Sequence, residues 1–321
     1  MEELIYEIPG AHIGHAQNLK AATGCTVILT PEGAVCGVDQ RGGAPGTRET
    51  DLLRPMHLVE KVHAVLLTGG SAYGLSAADG VMQWLEERKY GFDVGVATVP
   101  IVPGASLFDL AIGRADVRPD SKMGYAACES AQKNWMAKTG TIGAGTGATV
   151  GHLLGDAGCM KGGFGTSIME VKPGIFVGAA FAVNCFGDVI DPSTGKTIAG
   201  SRKMPEGHFA DIMKTLAQMP ERFDAAVKST VIGIVATNAT LSKEIANKVA
   251  QMAHNGLART IIPTHTMFDG DTIFALSTGF EKRMDANIIG AFAAETTARA
   301  VINAVSKATS LCGITAMEDI S

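Results

Sequence analysis

Ser229-Thr-Val-Ile-Gly-Ile-Val-Ala-Thr237 is an uncharged run that opens on two hydroxyl residues and continues in Val, Ile and Ala. From Val231 onward it reads as a strand buried on both faces, because such strands lose the polar alternation of a half-exposed one. The chain ahead of it, residues 191–220, carries Pro192, Gly195, Gly200, Pro205 and Pro220 and reads as an exposed connection around one helix. An accessible connection shortly before a strand headed by a hydroxyl residue is a place where a processing site fits.

Outward from this run, β-like and helical text alternates. Strands are expected at 26–29, 34–38, 64–68, 175–183 and 272–278, short, apolar and rich in Val and Ile. Helices are expected at 76–88, 123–136, 208–217, 243–257 and 286–307. The 243–257 helix has Ser242 as its expected N-cap and an apolar stripe at Ile245, Val249 and Met252. The last helix is Ala-rich and apolar on more than one face, so burial on both sides is expected.

Hydrophobic residues make up 46% of the 321, charged residues 18%, and mean hydropathy is +0.18. Such a chain must bury much of its length, and subunit contacts are expected. The net charge of −5 comes without a basic block, which argues against a nucleic-acid partner. The start, Met1-Glu-Glu, lacks the features of a signal peptide, and no apolar run reads as a membrane span. The cysteines Cys25, Cys36, Cys128, Cys159, Cys185 and Cys312 are scattered and form no Cys-x-x-Cys. They read as buried thiols of a cytoplasmic protein rather than a disulfide framework or zinc site.

Several motifs carry chemistry. Gly69-Gly-Ser-Ala-Tyr-Gly74 follows a strand and opens a helix, so its backbone N–H groups could hold a substrate or oxyanion, through Gly70, Ser71 and Tyr73. Ser71 is not a nucleophile elbow, because Tyr73 stands where glycine is needed. Gly143-Ala-Gly145-Thr-Gly147 superficially suggests a dinucleotide loop. No convincing helix or offset acidic residue follows, so Gly145 reads as a glycine of close packing or of a substrate loop. His12 and His15 lack a third ligand, and neither metal nor cofactor is expected. Lys161, in Lys161-Gly-Gly-Phe-Gly165, is either a solvated turn lysine or one whose pKa burial lowers for proton traffic. Asn184 ends an apolar strand, where an amide caps the chain or donates to an oxyanion. Asp269-Gly-Asp271 is either a turn before a strand or a carboxylate pair that orients a nucleophile.

In their order along nearly the whole chain, these segments closely resemble the DmpA-like aminopeptidase family, which includes β-peptidyl aminopeptidases and 6-aminohexanoate-oligomer hydrolases. The matching text runs from Arg41-Gly-Gly-Ala-Pro-Gly-Thr-Arg-Glu-Thr-Asp51 and Thr68-Gly-Gly-Ser-Ala-Tyr-Gly-Leu75 to Gly256-Leu-Ala-Arg259 and His265-Thr-Met-Phe-Asp-Gly-Asp-Thr272. It includes Ala182-Val-Asn-Cys-Phe-Gly-Asp188 and the run from Thr230. The resemblance implies an α+β fold, an αββα four-layer sandwich laid out like N-terminal-nucleophile hydrolases. It implies one catalytic domain over residues 1–321, cut after Ser229 into 1–229 and 230–321. The nucleophile would be Thr230, with Lys161, an oxyanion amide at Asn184, and an orienting pair at Asp269 and Asp271. Relatives commonly carry Asn or Gly where Ser229 stands. The expected substrate is a short peptide, a β-amino acid amide or an ω-amino acid oligomer, and the expected assembly a homo-oligomer, tetrameric as in the family. A processing-deficient binding protein, or an acyltransferase using the same intermediate, would carry the same motifs.

Overall fold

The 229–237 run does form a strand at the centre of the molecule. A computed structural model of the chain describes residues 7–136, 138–155, 157–220 and 229–320. The main sheet is built from β1 (His12–Asn18), β2 (Thr23–Gln40), β3 (Gly46–Arg48), β4 (Lys61–Thr68) and β5 (Gly104–Ser106), followed by β6 (Gly163–Lys172), β7 (Ile175–Asn184), β8 (Thr230–Thr240) and β9 (Thr272–Arg283). Their order is β6-β7-β8-β9-β2-β4-β5-β3, with β1 on the remaining edge of β2. Neighbours are antiparallel except β8 with β9 and β4 with β5.

The helices are α1 (Ala77–Glu87), α2 (Ser121–Glu129), α3 (Ile212–Ala217), α4 (Lys243–Thr260) and α5 (Ala286–Ser306). Side chains alternate between faces of a strand, and this sorts the core into layers. On β8, Val231 and Val235 face α4 and α5, while Ile232, Ile234 and Ala236 face inward. On β4, Ala64 and Leu66 face α1 and α2, while Val65 and Leu67 face the same inner core. The result is an α+β sandwich: α4 and α5, a sheet layer of β6 to β9, the inner core, a second sheet layer around β1, β2 and β4, then α1 and α2. This is the expected four-layer arrangement, with one added feature. The layers share one continuous ladder, because β2 runs through both.

β2 also merges the strands expected at 26–29 and 34–38. Pro31-Glu-Gly33 does not end the strand; it shifts the β2–β4 register between Leu29 and Ala34. The helix expected over 123–136 stops at Glu129, because residues 130–132 pair with β1 instead. Ser130 Oγ donates to His15 O at 2.8 Å, and Gln132 and Ile13 exchange backbone hydrogen bonds of 2.9 Å. The helix expected over 208–217 begins only at Ile212, capped by the Asp211 side chain, while His208–Phe209 pairs with Arg202–Lys203. Ser242 stands at the N-cap of α4 but makes no capping bond with its side chain.

Over 21 residues, α5 is long and apolar enough to cross a membrane by length and composition, contrary to the reading that no run is. Its apolarity has a local cause. Val301, Ala304 and Val305 pack on the β6–β7 layer, and Ala300 O would lie 2.0 Å from a Cβ on Gly165 of β6. Glycine there lets helix and strand approach more closely than any side chain allows.

Candidate active site

Thr230 opens β8 opposite Asn184, the last residue of β7. β9 lies parallel on the other side of β8, so the turn that feeds it, Asp269-Gly-Asp271, meets the same strand end. Three elements far apart in sequence thus converge on the Ser229–Thr230 peptide, which is buried with Thr230 only 4% exposed.

The contacts at this peptide are specific. The Thr230 hydroxyl lies against the Ser229 carbonyl oxygen as its hydrogen-bond donor. Gly270 N–H donates to the same oxygen at 3.2 Å. A Cβ on Gly270 would sit 2.5 Å from Ala44 O, so only glycine fits the turn at this depth. Asp271 Oδ1 accepts from Val231 N–H at 2.9 Å, fixing the peptide on the other side of Thr230. Asp269 Oδ1 accepts from Phe186 N–H at 3.1 Å and its Oδ2 from Thr266 N–H at 3.0 Å, which ties the turn to the chain just beyond Asn184. Burial and the adjacent Asp271 carboxyl raise the Asp269 pKa to about 6.

Asn184 is held at both ends of its amide. Its Oδ1 accepts from Thr149 N–H at 2.9 Å and Thr149 Oγ1 at 3.3 Å, and its Nδ2 donates to Phe108 O at 3.1 Å. That pattern fixes which end is nitrogen.

Lys161 is no solvated turn lysine. It is completely buried, and its Nζ donates to the carbonyls of Ala148 at 2.7 Å and of Gly145 and Gly162 at 3.0 Å each. These use all three ammonium hydrogens. Thr149, its ladder partner, is the residue that holds Asn184, so Lys161 joins the site through backbone and Thr149. Burial lowers its pKa to about 7, and the Asp109 carboxylate opposes that shift. Gly145 is a glycine of close packing, since a Cβ there would lie 2.2 Å from Phe164 N.

The loop at Gly70 is less free than its sequence suggests. Gly70 N–H donates to Asp109 Oδ1 at 2.7 Å and Ser71 N–H to Leu107 O at 2.9 Å. Tyr73 is largely exposed, with the Arg118 guanidinium stacked 4.1 Å over its ring. The loop touches the buried site through Asp109, and among the described residues no hydrogen bond carries Ser71 or Tyr73 to Thr230. Asp109 itself escaped the sequence reading. It accepts from Thr23 Oγ1 at 2.7 Å as well as from Gly70, and burial raises its pKa to about 6 against those bonds and the Lys161 charge. The one available signal was an acidic residue straight after the apolar text Val102 to Phe108. Thr149, the Gly270 N–H and His265 were missed too, although the last two lie inside quoted motifs and Thr149 follows another by two residues.

The arrangement places a hydroxyl, a peptide carbonyl with an N–H on its oxygen, a fixed amide, and a buried lysine–carboxylate pair at one strand end. Such a set suits acyl transfer from an amide. The sequence profile of Peptidase family S58 matches residues 3–318. The chain belongs to that family. An uncharacterized aminopeptidase of Mycobacterium leprae (strain TN) is 43% identical, with 97% of this chain and 92% of that protein covered. A 6-aminohexanoate-oligomer endohydrolase of Kocuria sp. (strain KY2) is 31% identical over 86% of this chain and 75% of that protein. Among solved structures, the L-aminopeptidase D-Ala-esterase/amidase of Ochrobactrum anthropi, described as a variant of the Ntn hydrolase fold, superposes with a TM-score of 0.71. It is 18% identical, with 95% of this chain and 86% of that one covered. A Burkholderia sp. β-aminopeptidase gives 0.66 at 21% identity, covering 95% and 87%. This S58 chain is a hydrolase of amide or peptide bonds on an Ntn-type α+β sandwich.

Proposed function

We propose that this S58 hydrolase is an autoprocessing aminopeptidase or amidase whose nucleophile is Thr230, released by cleavage of its own Ser229–Thr230 bond. The observation that carries the reading is the hydroxyl of Thr230 lying on the carbonyl of the peptide to be cut, with the Gly270 N–H on that same oxygen.

In the precursor, Oγ1 attacks the Ser229 carbonyl carbon and the developing oxyanion takes the Gly270 hydrogen bond. The C–N bond then breaks, the nitrogen gains the proton, and an ester joins Ser229 to the Thr230 oxygen. Water hydrolyses the ester to a Ser229 carboxylate, giving chains 1–229 and 230–321. Ser229 is small, so attack at its carbonyl is sterically open.

The new α-amine of Thr230 has an ordinary pKa of roughly 7.7–8.0, so it can accept the hydroxyl proton near neutral pH. Oγ1 then attacks a substrate carbonyl and Asn184 Nδ2 donates to the oxyanion. The amine product leaves with a proton, and water hydrolyses the acyl-enzyme. Asp271 and Asp269 hold the strand end, and buried Lys161, through its bonds to the carbonyls of Gly145, Ala148 and Gly162, braces the backbone at Thr149 that holds Asn184. Substrates are short peptides with a free amino terminus, β-amino acid amides or ω-amino acid oligomers, a range supported by the names of the relatives. A tetramer in the cytoplasm completes the reading and is checked by sedimentation.

Intact mass with N-terminal sequencing tests the core of it. Two fragments are expected, the smaller beginning at Thr230, and Thr230→Ala should remain one inactive chain. If Thr230→Ala is still cut at this bond and still hydrolyses amides, the proposal is wrong.

A further inference from the structure

The carboxylate beside the nucleophile has a second side that the proposed chemistry does not use. While Asp271 Oδ1 takes Val231 N–H, its Oδ2 takes His265 Nδ1 at 2.7 Å, His265 N–H at 3.2 Å and Thr264 Oγ1 at 3.2 Å. Against a carboxylate oxygen at this distance, Nδ1 carries the hydrogen. The His265 ring is mostly buried, and His254 stands edge-on to it with centroids 4.8 Å apart. His254 is anchored in turn by Nε2 at 3.1 Å from Asp39 O, and burial lowers its pKa to about 4, so it packs as a neutral ring. His265 also has φ +59°, a left-handed conformation unusual for a residue with a Cβ. A ring locked by packing, on a backbone in a disfavoured region, with one nitrogen committed to a carboxylate, is more than a turn between strands requires.

We infer that His265 is a positioning residue: its Nδ1–H holds Asp271 in the rotamer that receives Val231 N–H, and so fixes where Thr230 stands. This rests on Thr230 being the nucleophile. The carboxylate has two free torsions, and without the histidine only backbone N–H groups and a threonine hydroxyl restrain it. An unfixed Asp271 would leave the Thr230–Val231 peptide free to tilt. A reacting atom displaced by about 1 Å loses rate on the order of a hundredfold.

Three substitutions accept φ +59° with little strain and differ in what they offer Asp271. His265→Asn keeps a donor near the Nδ1 position, His265→Asp has the same size with an acceptor instead, and His265→Gly offers nothing. Each full-length chain is followed by intact mass for self-cleavage and by p-nitroanilides of α- and β-amino acids for kcat and KM, with Tm recorded for each. His265→Gly and His265→Asp should cleave and turn over roughly tenfold to a hundredfold more slowly, the scale of a hydrogen bond to a charged group. KM should stay within about twofold, since substrate binding is untouched. His265→Asn should recover to within about threefold of wild type. The inference is overturned if His265→Gly matches wild type, if the loss falls on KM, or if His265→Asn is no faster than His265→Asp at equal Tm. Should one variant fail to fold, the other two still decide the matter. Thr230→Ala, run alongside, separates the two ideas: amide hydrolysis surviving there removes the nucleophile assignment, whatever the His265 series shows.

Discussion

Replacing Asp109 by Asn should stabilise this protein at neutral pH and leave it unchanged in acid. The Asp109 carboxyl is almost completely buried, and its pKa is raised from 3.8 to about 6, first by burial and against the bonds from Thr23 and Gly70. A group whose folded pKa is raised contributes stability that is fully present below its unfolded value. That contribution is lost as pH rises through the folded value. A shift of this size is worth about 3 kcal/mol once both states are ionised. Asn keeps an acceptor for Gly70 N–H, and its amide N–H can donate to Thr23 Oγ1, so the geometry survives while the charge goes. Part of the gain is returned, because Asp109 supports the Lys161 ammonium. The net expectation is about 1 to 3 kcal/mol at pH 7.5, or roughly 1.5 to 4.5 °C in Tm for a chain of this length. The measurement is the difference between Asp109→Asn and wild type at pH 4, 5, 6 and 7.5, by thermal or urea unfolding. Asp188 and Asp269, also raised to about 6, cancel in that difference. The reasoning fails if the difference is flat across this range, or if the variant loses stability as pH rises.

Asn184→Ala should lower kcat by about 10²–10³-fold, the scale for one oxyanion donor, in steady-state amide hydrolysis. Thr149→Val removes the hydroxyl from Asn184 Oδ1 but leaves the stronger backbone N–H bond at 2.9 Å, so the same assay should show a loss of at most about tenfold. Maleimide labelling of the native chain should modify only Cys312. Cys25, Cys36, Cys128, Cys159 and Cys185 are buried, burial raises the Cys128 thiol to about 12, and these five should react only after denaturation, as read by mass.

Much of the centre of the fold was legible in the sequence. β8 and the first half of β9 are apolar on both faces, and α4 and α5 carry their own periodicity, so local text specifies them. α2 was misjudged because its end is set by the Ser130 hydroxyl and the Gln132 backbone bonding to β1, a partner more than a hundred residues away. α5 illustrates the same limit from the other side, since length and hydropathy cannot tell a helix buried against β6 and β7 from a membrane span. Asp109 is one carboxylate in apolar text, and nothing local tells that it will sit opposite Lys161.

By itself, the sequence determined which strand carries the hydroxyl at its head and which motifs accompany it, because residue type and order are what a motif is. That Lys161 is buried among three carbonyls, and that Gly270 aims its N–H at the Ser229 oxygen, only the tertiary structure decided. So too with Asp271, which reaches Val231 on one side and His265 on the other. These are distances between β7, β8, β9 and the loops at their ends. A parallel pair such as β8 and β9 has no local turn to set its register; packing of the layers fixes it.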